Sequence, residues 1–360
     1  MKFCKLVKLK MKQIRFVVLI VVAALFLTSC SGSLLSGSSW PGIASDGERV
    51  YLANSTTIVA INQESGSKVW SYPEKPDNKT MFYAPPAILN GEIVVGDYTR
   101  SLYSLDKNTG NQNWAFHEAD GRYVASAVVL EDYILAPSSD HSLYVLDHNG
   151  TLQWNYETGQ MIWAQPVSDG ENVYIASMDH YLTALRLDSG SKLWDIDLGS
   201  AVIFSLELNE DGIIYVGTIG KSIAAVNSSS GKVIWQYETS DAVWAKPLYL
   251  DGNIYVGDIS GTIYSIDAEK GSVNWTNSIQ GAVMAQAASV EDKLVFLTED
   301  GVVVALNLDG GQVWQKTLEG SLYSSPIVLE DKLIIGLTDS DDLLAAIDLN
   351  GNPIWTYSVK

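Results

Sequence analysis

Cysteine, histidine and catalytic motifs are all scarce in this sequence. Its only cysteines are Cys4 and Cys30, and Cys4 lies in a segment expected to be removed, so the mature chain should hold no disulfide and no cysteine metal site. It has four histidines, and no Ser/His/Asp series, paired-carboxylate motif, phosphate-binding loop or zinc motif stands out. The sequence therefore predicts a protein that is not an enzyme and binds no metal.

A hydrophobic run long enough to cross a bilayer is also lacking near the start of the chain. The apolar run at residues 16–27 is 12 residues long, against the roughly 20 that a transmembrane helix needs, and only basic charges precede it. This pattern is typical of a signal peptide over residues 1–29, beginning at Met1 or at Met11 with the same mature chain. An uncleaved helical anchor is the alternative, and both interpretations place the remaining residues outside the cytoplasm.

The signal ends in Leu-Thr-Ser before Cys30, which resembles a bacterial lipobox. The resemblance implies cleavage before Cys30, a lipid on its side chain and attachment to a membrane. Residues 30–39 would then be a flexible tether of at most ~30 Å to a domain at residues 40–360. Ser31, rather than aspartate, follows the cysteine. In a cell with two membranes this favours sorting of the lipoprotein to the outer membrane, on the side that faces the periplasm. In a cell with one membrane, the anchor would lie on its outer face.

Positive charge is sparse in the rest of the chain. Loss of the six basic residues at 1–29 changes the formal net charge from −19 to −25, because that segment has no acid. Such a surface argues against nucleic acid as a partner and is typical of a solubility device.

Tryptophan, by contrast, recurs at intervals of 39–44 residues, and a glycine stands four residues before each of eight tryptophans. These tryptophans are Trp70, Trp114, Trp154, Trp194, Trp235, Trp275, Trp314 and Trp355. A fixed period of this length indicates a repeat architecture. Because all eight are equivalent, we expect them to be structural residues that pack one repeat against the next.

Each period contains four short strand patterns. In the sixth, residues 246–250, 253–257 and 262–267 are separated by turns, and a last strand surrounds Trp275. No helical periodicity follows the signal. Four-stranded units without helices pack as blades around a channel, so we predict an all-β fold, a single eight-bladed β-propeller.

One face of this propeller should carry an unusual set of side chains. The position 30–32 residues before each tryptophan is aromatic in seven repeats out of eight and would lie at the mouth of the channel. The polar residues Gln165, Lys246, Gln286 and Ser325 stand two residues further on. Either this ring is a binding site or its members pack together as a plug. The eight residues are Trp40, Tyr83, Tyr123, Trp163, Phe204, Trp244, Met284 and Tyr323.

Two further features lie on the same predicted face. Asp140-His141 and Asp179-His180 occupy equivalent turns, and four such side chains suggest a zinc or manganese site. The simpler interpretation is that aspartate begins the turn and histidine takes the place of the glycine in Asp300-Gly301. The connection at residues 71–82 is about four residues longer than its counterparts and is the best candidate for a partner-binding loop.

The repeats resemble those of the pyrroloquinoline-quinone-like, or quinoprotein-type, propellers, on the pattern that runs from Asn253 through Gly257 and Asp267 to Gly271 and Trp275. A lipobox followed by one compact propeller resembles the BamB family of outer-membrane assembly lipoproteins. The resemblance implies a non-catalytic scaffold, anchored in the cell envelope, that binds other envelope proteins.

Two other functions stay open. A surface receptor could bind a small molecule or glycan at the aromatic mouth. A quinone-dependent oxidoreductase is disfavoured, because the adjacent cysteine pair of those enzymes is impossible here and no calcium-ligand motif is recognisable. No cofactor is predicted, and pyrroloquinoline quinone is not expected to bind.

Overall fold

Hydropathy differs from strand to strand within each repeat, and the structure shows why. The computed structural model describes residues 41–76, 79–89 and 91–358. Two middle strands of the sixth repeat, Asn253–Gly257 and Thr262–Asp267, are buried almost throughout, whereas the outer strand Val273–Ser278 alternates between half-buried and exposed residues. Middle strands are apolar on both faces because they lie between two neighbouring sheets, and outer strands alternate because one face meets solvent.

The described residues form eight antiparallel sheets, each of four consecutive strands. The eight-bladed all-β propeller predicted from the repeats is confirmed. The first four blades comprise β1 (Gly42–Ser45), β2 (Arg49–Asn54), β3 (Thr57–Asn62) and β4 (Lys68–Tyr72); β5 (Ala87–Leu89), β6 (Glu92–Gly96), β7 (Leu102–Asp106) and β8 (Gln112–Phe116); β9 (Val128–Val129), β10 (Ile134–Pro137), β11 (Ser142–Leu146) and β12 (Leu152–Glu157); and β13 (Val167–Ser168), β14 (Asn172–Ala176), β15 (Tyr181–Arg186) and β16 (Lys192–Asp197).

The other four blades follow the same order, with the first strand of each innermost. They comprise β17 (Glu207–Leu208), β18 (Ile213–Thr218), β19 (Ser222–Asn227) and β20 (Val233–Glu238); β21 (Leu248–Leu250), β22 (Asn253–Gly257), β23 (Thr262–Asp267) and β24 (Val273–Ser278); β25 (Ala288–Val290), β26 (Lys293–Leu297), β27 (Val302–Asn307) and β28 (Gln312–Thr317); and β29 (Ile327–Val328), β30 (Lys332–Gly336), β31 (Leu344–Asp348) and β32 (Pro353–Tyr357).

Each blade is joined to the next by the tryptophan of its outer strand. The indole Nε1 donates a hydrogen bond of 2.8–3.1 Å to a backbone carbonyl in the turn between the third and fourth strands of the following blade. The donor and acceptor residues are Trp70 and Lys107, Trp114 and His148, Trp154 and Leu187, Trp194 and Ser228, Trp235 and Ala268, Trp275 and Leu308, Trp314 and Leu349, and Trp355 and Gln63.

The repeated glycine lies under the tryptophan of the preceding blade, not under that of its own. Gly231 has a φ of +67°, and a Cβ on it would stand 2.7 Å from the Trp194 ring. The same approach, at 2.5–3.0 Å, recurs at every equivalent glycine. Any side chain there would push the ring away from its carbonyl.

A β-bulge precedes every tryptophan. The register between the third and fourth strands shifts in all eight blades, and the residue immediately before the tryptophan has no partner in the ladder. The bulge turns this residue outward. It therefore explains why several apolar side chains at this position are exposed, namely Val69, Leu193, Ile234, Val313 and Ile354.

Blade eight meets blade one by packing. Leu52 and Ile61 share a core cluster with Ile334 and Leu344. The Lys332 Nζ atom lies 2.7 Å from a Glu64 carboxylate oxygen and extends the contact beyond the core. Within the described part of the chain, β32 pairs only with β31. Cys30, the signal and the tether lie outside the described residues. No helix in the described ranges is long and apolar enough to cross a membrane.

Two glycine substitutions separate backbone strain from loss of the tryptophan contact. Gly231→Ala and Gly252→Ala both place alanine at positive φ, at +67° and +74°, but only the Gly231 variant forces a Cβ against Trp194. We expect each to cost about 1 kcal/mol of backbone strain and Gly231→Ala to cost about 1–3 kcal/mol more through overpacking. Equilibrium denaturation measures both, with Trp194→Ala as a reference that should lose about 3–5 kcal/mol. Equal losses from the two glycine variants would contradict this account.

A histidine links blades two and three in the same turn whose carbonyl accepts the Trp114 hydrogen bond. His148 Nδ1 lies 3.0 Å from a Glu92 carboxylate oxygen, and its Nε2 lies 3.0 Å from the carbonyl of Leu130. The hydrogen bond to Glu92 raises the pKa of His148 above its usual value of 6.5, against a smaller opposing effect of burial. Both ring nitrogens face acceptors, so the protonated imidazole fits this place best.

This arrangement predicts a loss of stability with rising pH. Since the folded pKa of His148 exceeds the unfolded one, its contribution is complete below pH 6.5 and disappears as pH rises through the folded pKa. We expect His148→Gln to flatten the decline in the free energy of unfolding between mildly acidic and mildly alkaline pH. His117→Gln, at an exposed histidine that contacts the Ser101 hydroxyl, is the control and should keep the wild-type slope. An unchanged slope in the His148 variant would disprove the assignment.

Candidate functional site

The connections between blades meet the turns between second and third strands on one face of the propeller. In blade three, one carboxylate oxygen of Asp140 accepts hydrogen bonds from the backbone amides of Asp120 (2.7 Å) and Gly121 (3.0 Å). In blade four, Asp179 accepts from the amide of Gly159 at 2.7 Å. These charge-assisted bonds hold the loops of this face, which we call the mouth face, in fixed positions.

The aspartate–histidine pairs are used in the turns themselves. His141 and His180 have φ values of +76° and +78°, close to the +80° of Gly301 in the corresponding turn. Their aspartates point at backbone amides instead of at a common centre, and no group of three potential metal ligands occurs in the described ranges. The geometry is that of the turn interpretation.

In blades two to eight, the segment that enters the inner strand has a common five-residue pattern on the mouth face. Its first residue is an anchor, at most 2% exposed, and in six blades the anchor amide donates to a turn carbonyl of the preceding blade at 2.6–3.4 Å. The second and fourth residues of an extended segment share one side, which here is the channel side. The anchors of blades two to eight are Phe82, Tyr123, Ile162, Val202, Val243, Val283 and Leu322.

The predicted aromatic ring is therefore partly out of register. Tyr123 is an anchor, 1% exposed, and the ring position of its blade belongs to Val124. Phe204 stands one residue after the ring position, where most other blades have alanine, and Ile203 occupies the ring. Counting back from tryptophan missed this because the connections differ in length; aligning the five-residue segments reveals it. Trp40 lies outside the described residues.

The members of the ring also differ in exposure. Tyr83 is buried against Tyr98, with ring centroids 4.9 Å apart, and Met284 is buried as well. Trp163, Trp244 and Tyr323 line the channel, with the misplaced Phe204 beside them. The ring is thus packed shut on the side of blade two and open towards blades four to six and eight.

This open part encloses a cavity of about 350 Å³ to which all eight blades contribute. Its upper tier consists of ring residues, and its lower tier consists of the fourth residues of the segments, two positions on. The lower tier comprises Pro85, Ser126, Gln165, Ser205, Lys246, Gln286 and Ser325.

Hydrogen bonds hold the polar tier in place. The side-chain amide nitrogens of Gln165 and Gln286 donate to the carbonyls of Ala127 (3.3 Å) and Pro247 (3.2 Å), each in the preceding blade. Lys246 Nζ lies 2.7 Å from a Glu207 carboxylate oxygen. Burial, and a 2.9 Å hydrogen bond to the Glu299 carboxylate, raise the pKa of Tyr323, so its hydroxyl is neutral at physiological pH.

Pyrroloquinoline quinone does not fit this channel. Its carboxylates require cationic or metal partners. The one cation lining the cavity is Lys246, which already faces Glu207, and the described residues contain no cluster suited to a metal ion.

A second concave surface lies on the mouth face between blades two and three, and sequence reasoning missed it. It is lined by Tyr98, Arg100, Asp120, Arg122 and Ser139, among others, and we call it the Arg cleft. The Arg122 guanidinium stands 5.7 Å from the Tyr98 ring centroid, within the range of a cation–π contact. An Arg100 guanidinium nitrogen lies 3.7 Å from an Asp120 carboxylate oxygen.

The predicted partner-binding loop at residues 71–82 borders this cleft. The Tyr98 amide donates to the carbonyl of Met81 at 2.8 Å, and the Thr99 hydroxyl donates to the carbonyl of Lys79 at 3.2 Å. Lys75 and Lys79 are exposed on the loop, and Glu74 is exposed beside them. The described residues of the loop, 71–76 and 79–82, and the cleft thus form a surface that carries arginine, lysine and tyrosine side chains.

The two interpretations of the Asp140 turn predict different responses to metal. If the carboxylate only holds backbone amides, Asp140→Ala should lower the free energy of unfolding by about 2 kcal/mol, and neither zinc nor a chelator should change the melting temperature of the wild type. Asp132→Ala, at an exposed acid of the same blade, is the matched control and should have little effect. Stabilisation of the wild type by zinc or manganese that Asp140→Ala abolishes would support the metal site instead.

Comparison with known proteins extends these observations. A family model described as outer membrane protein assembly factor BamB matches residues 21–195, 178–290 and 259–360. BamB of Yersinia pestis is 25% identical over 228 residues, covering 58% of this chain and 55% of that protein. Tetrathionate hydrolase of Acidithiobacillus ferrooxidans is 24% identical over 214 residues, covering 52% of this chain and 41% of that enzyme.

A solved structure supports the same fold. The crystal structure of BamB from Moraxella catarrhalis superposes with a TM-score of 0.69 at 20% identity, covering 84% of this chain and 92% of that one. The chain spans about half the length of the first curated relatives that it matches. Since the family model accounts for most of the sequence in three overlapping segments, the chain belongs to the family of outer membrane protein assembly factor BamB.

Proposed function

We propose that this protein is a non-catalytic scaffold of the bacterial cell envelope, held at a membrane by a lipid on Cys30, that binds other proteins of outer-membrane protein assembly. Membership of the BamB family supports this role. The observation on which we base the docking site is the surface formed by the Arg cleft and the described residues of the loop at residues 71–82.

The chemistry of this surface suits a protein partner. Arginine and tyrosine are enriched at the energetic centres of protein interfaces, because they combine large contact area with directional hydrogen bonds. The Arg122 guanidinium already lies over the Tyr98 ring, 5.7 Å from its centroid, which reduces the side-chain entropy lost on binding. The partner should present carboxylates to Arg122 and Arg100 in an otherwise acidic molecule of net charge −25 after signal removal.

The fold supports a scaffold in a second way. Loops on the mouth face are held by carboxylate–amide bonds and stand on blades that are locked together by the tryptophan contacts. A partner therefore meets a surface that is already in its bound shape.

Tetrathionate hydrolase among the relatives supplies the rival function. We favour a non-catalytic role because the ionisable groups that line the channel are a lysine paired with Glu207 and the neutral Tyr323. No nucleophile with an adjacent general base lines the cavity within the described ranges.

An affinity pull-down of the lipidated protein from native membranes, read by mass spectrometry, tests the proposal. We expect the wild type to recover proteins of outer-membrane assembly, and Arg122→Glu to reduce that recovery at least tenfold because it reverses the charge that the partner must meet. Lys232→Glu is the control, since this exposed lysine follows a turn on the opposite face.

Three results would contradict the proposal. Wild-type recovery of no envelope protein would argue against a scaffold, and hydrolysis of tetrathionate by the purified protein would argue for the rival. Equal losses from the Arg122 and Lys232 variants, with both folded by circular dichroism, would mean that the Arg cleft is not the docking site.

A further inference from the structure

Two kinds of side chain line the channel, one in each tier. Trp163 and Trp244, from blades four and six, stand in its upper tier, and Phe204 of blade five lies beside them to complete an aromatic arc. Below the arc, the amides of Gln165 and Gln286 and several serine hydroxyls form the polar tier. A ligand in this channel meets flat apolar faces first and hydrogen-bonding groups immediately behind them.

The hydrogen-bonding groups are oriented in advance. Gln165 and Gln286 each donate one amide hydrogen to the preceding blade, which fixes the amide plane, and neither Oε1 atom has a partner among the described residues. The Trp163 indole nitrogen is buried and also finds no acceptor there. The channel wall therefore offers amide acceptors that the protein leaves unpaired and whose positions are already set.

Charge narrows the class of ligand. The lining contains one basic side chain, Lys246, at 2.7 Å from Glu207, and the lining is otherwise made of aromatic, aliphatic, amide and hydroxyl groups. An anion would have to displace Glu207, and a cation would meet Lys246. A neutral ligand can bind without displacing Glu207 and without repulsion from Lys246.

The size and enclosure of the cavity restrict the class of ligand further. The cavity of about 350 Å³ is at the small end of ligand sites and is surrounded by all eight blades. A long chain cannot lie across it, so the ligand must be compact or enter by one end.

From these features we propose that the channel mouth is a binding site for a neutral saccharide of one or two pyranose rings. The apolar faces of a pyranose stack on Trp163 and Trp244, and its hydroxyls reach Gln165, Gln286 and the serines. The lining of this site shares no residue with that of the Arg cleft, so each proposal has its own test.

Saturation-transfer NMR with maltose, cellobiose and N,N′-diacetylchitobiose tests the proposal on the purified full-length protein. At millimolar concentration we expect transfer from the protein to the ring protons of at least one disaccharide. Gln165→Leu and Trp244→Ala should each weaken its affinity about tenfold through loss of a hydrogen bond and of the stacking face. Tyr181→Ala removes an exposed ring outside the channel and should leave the affinity unchanged.

Several outcomes would overturn the proposal. They are no transfer to any of the three disaccharides, tighter binding of glucuronate than of the neutral sugars, or displacement of the sugar by a blocked trialanine peptide, which would indicate a peptide site. Near-UV circular dichroism must show native packing in each variant. If Trp244→Ala does not fold, Gln165→Leu and Gln286→Leu together decide the question.

Discussion

The hydrogen bond from each indole to a carbonyl of the next blade forms only because a glycine lies beneath the ring. With no Cβ at Gly231, the turn of blade five approaches Trp194 closely enough for its Nε1 to reach Ser228. Eight copies of this contact set the distance and the angle between blades, and hence the number of blades that close the ring. The width of the channel follows from the same contact, since the inner strands stand where the outer strands place them.

This dependence explains why the fold could be predicted from sequence. A contact that needs both a glycine at positive φ and a tryptophan permits few substitutions, so its spacing survives in all eight repeats. The strand order within a blade could be read in the same way. The tryptophan marks the outer strand, and the apolar strands before it are the middle ones, which are buried between neighbouring blades. The bulge before each tryptophan was not predictable in the same way. It depends on how the register of two strands adjusts, and Val69 and Asn113 occupy it equally well.

The candidate sites were predicted less well, for reasons that lie in particular residues. Tyr123 and Val124 differ by one position, and one residue decides whether a side chain enters the channel or the core. Connections of unequal length hide that difference from any count that begins at tryptophan. The Arg cleft escaped prediction because Tyr98 and Arg122 belong to different blades and meet only in the folded chain. Gln165, Lys246 and Gln286, which the sequence singled out as polar residues in an otherwise apolar segment, line the channel.

The repeated bulge affects how readily an outer strand can pair with a strand of another molecule. Each of the eight outer strands presents an unpaired main-chain edge, and an uninterrupted edge is a template on which another chain can extend the sheet. In this protein the ladder is interrupted one residue before the tryptophan, at the second residue of every outer strand. A strand from a second molecule could follow such an edge for only three or four residues beyond the bulge before losing register. The rim of the disc is therefore protected against fibril-like growth by the geometry of its backbone, even where Leu193 and Ile354 expose apolar side chains on it.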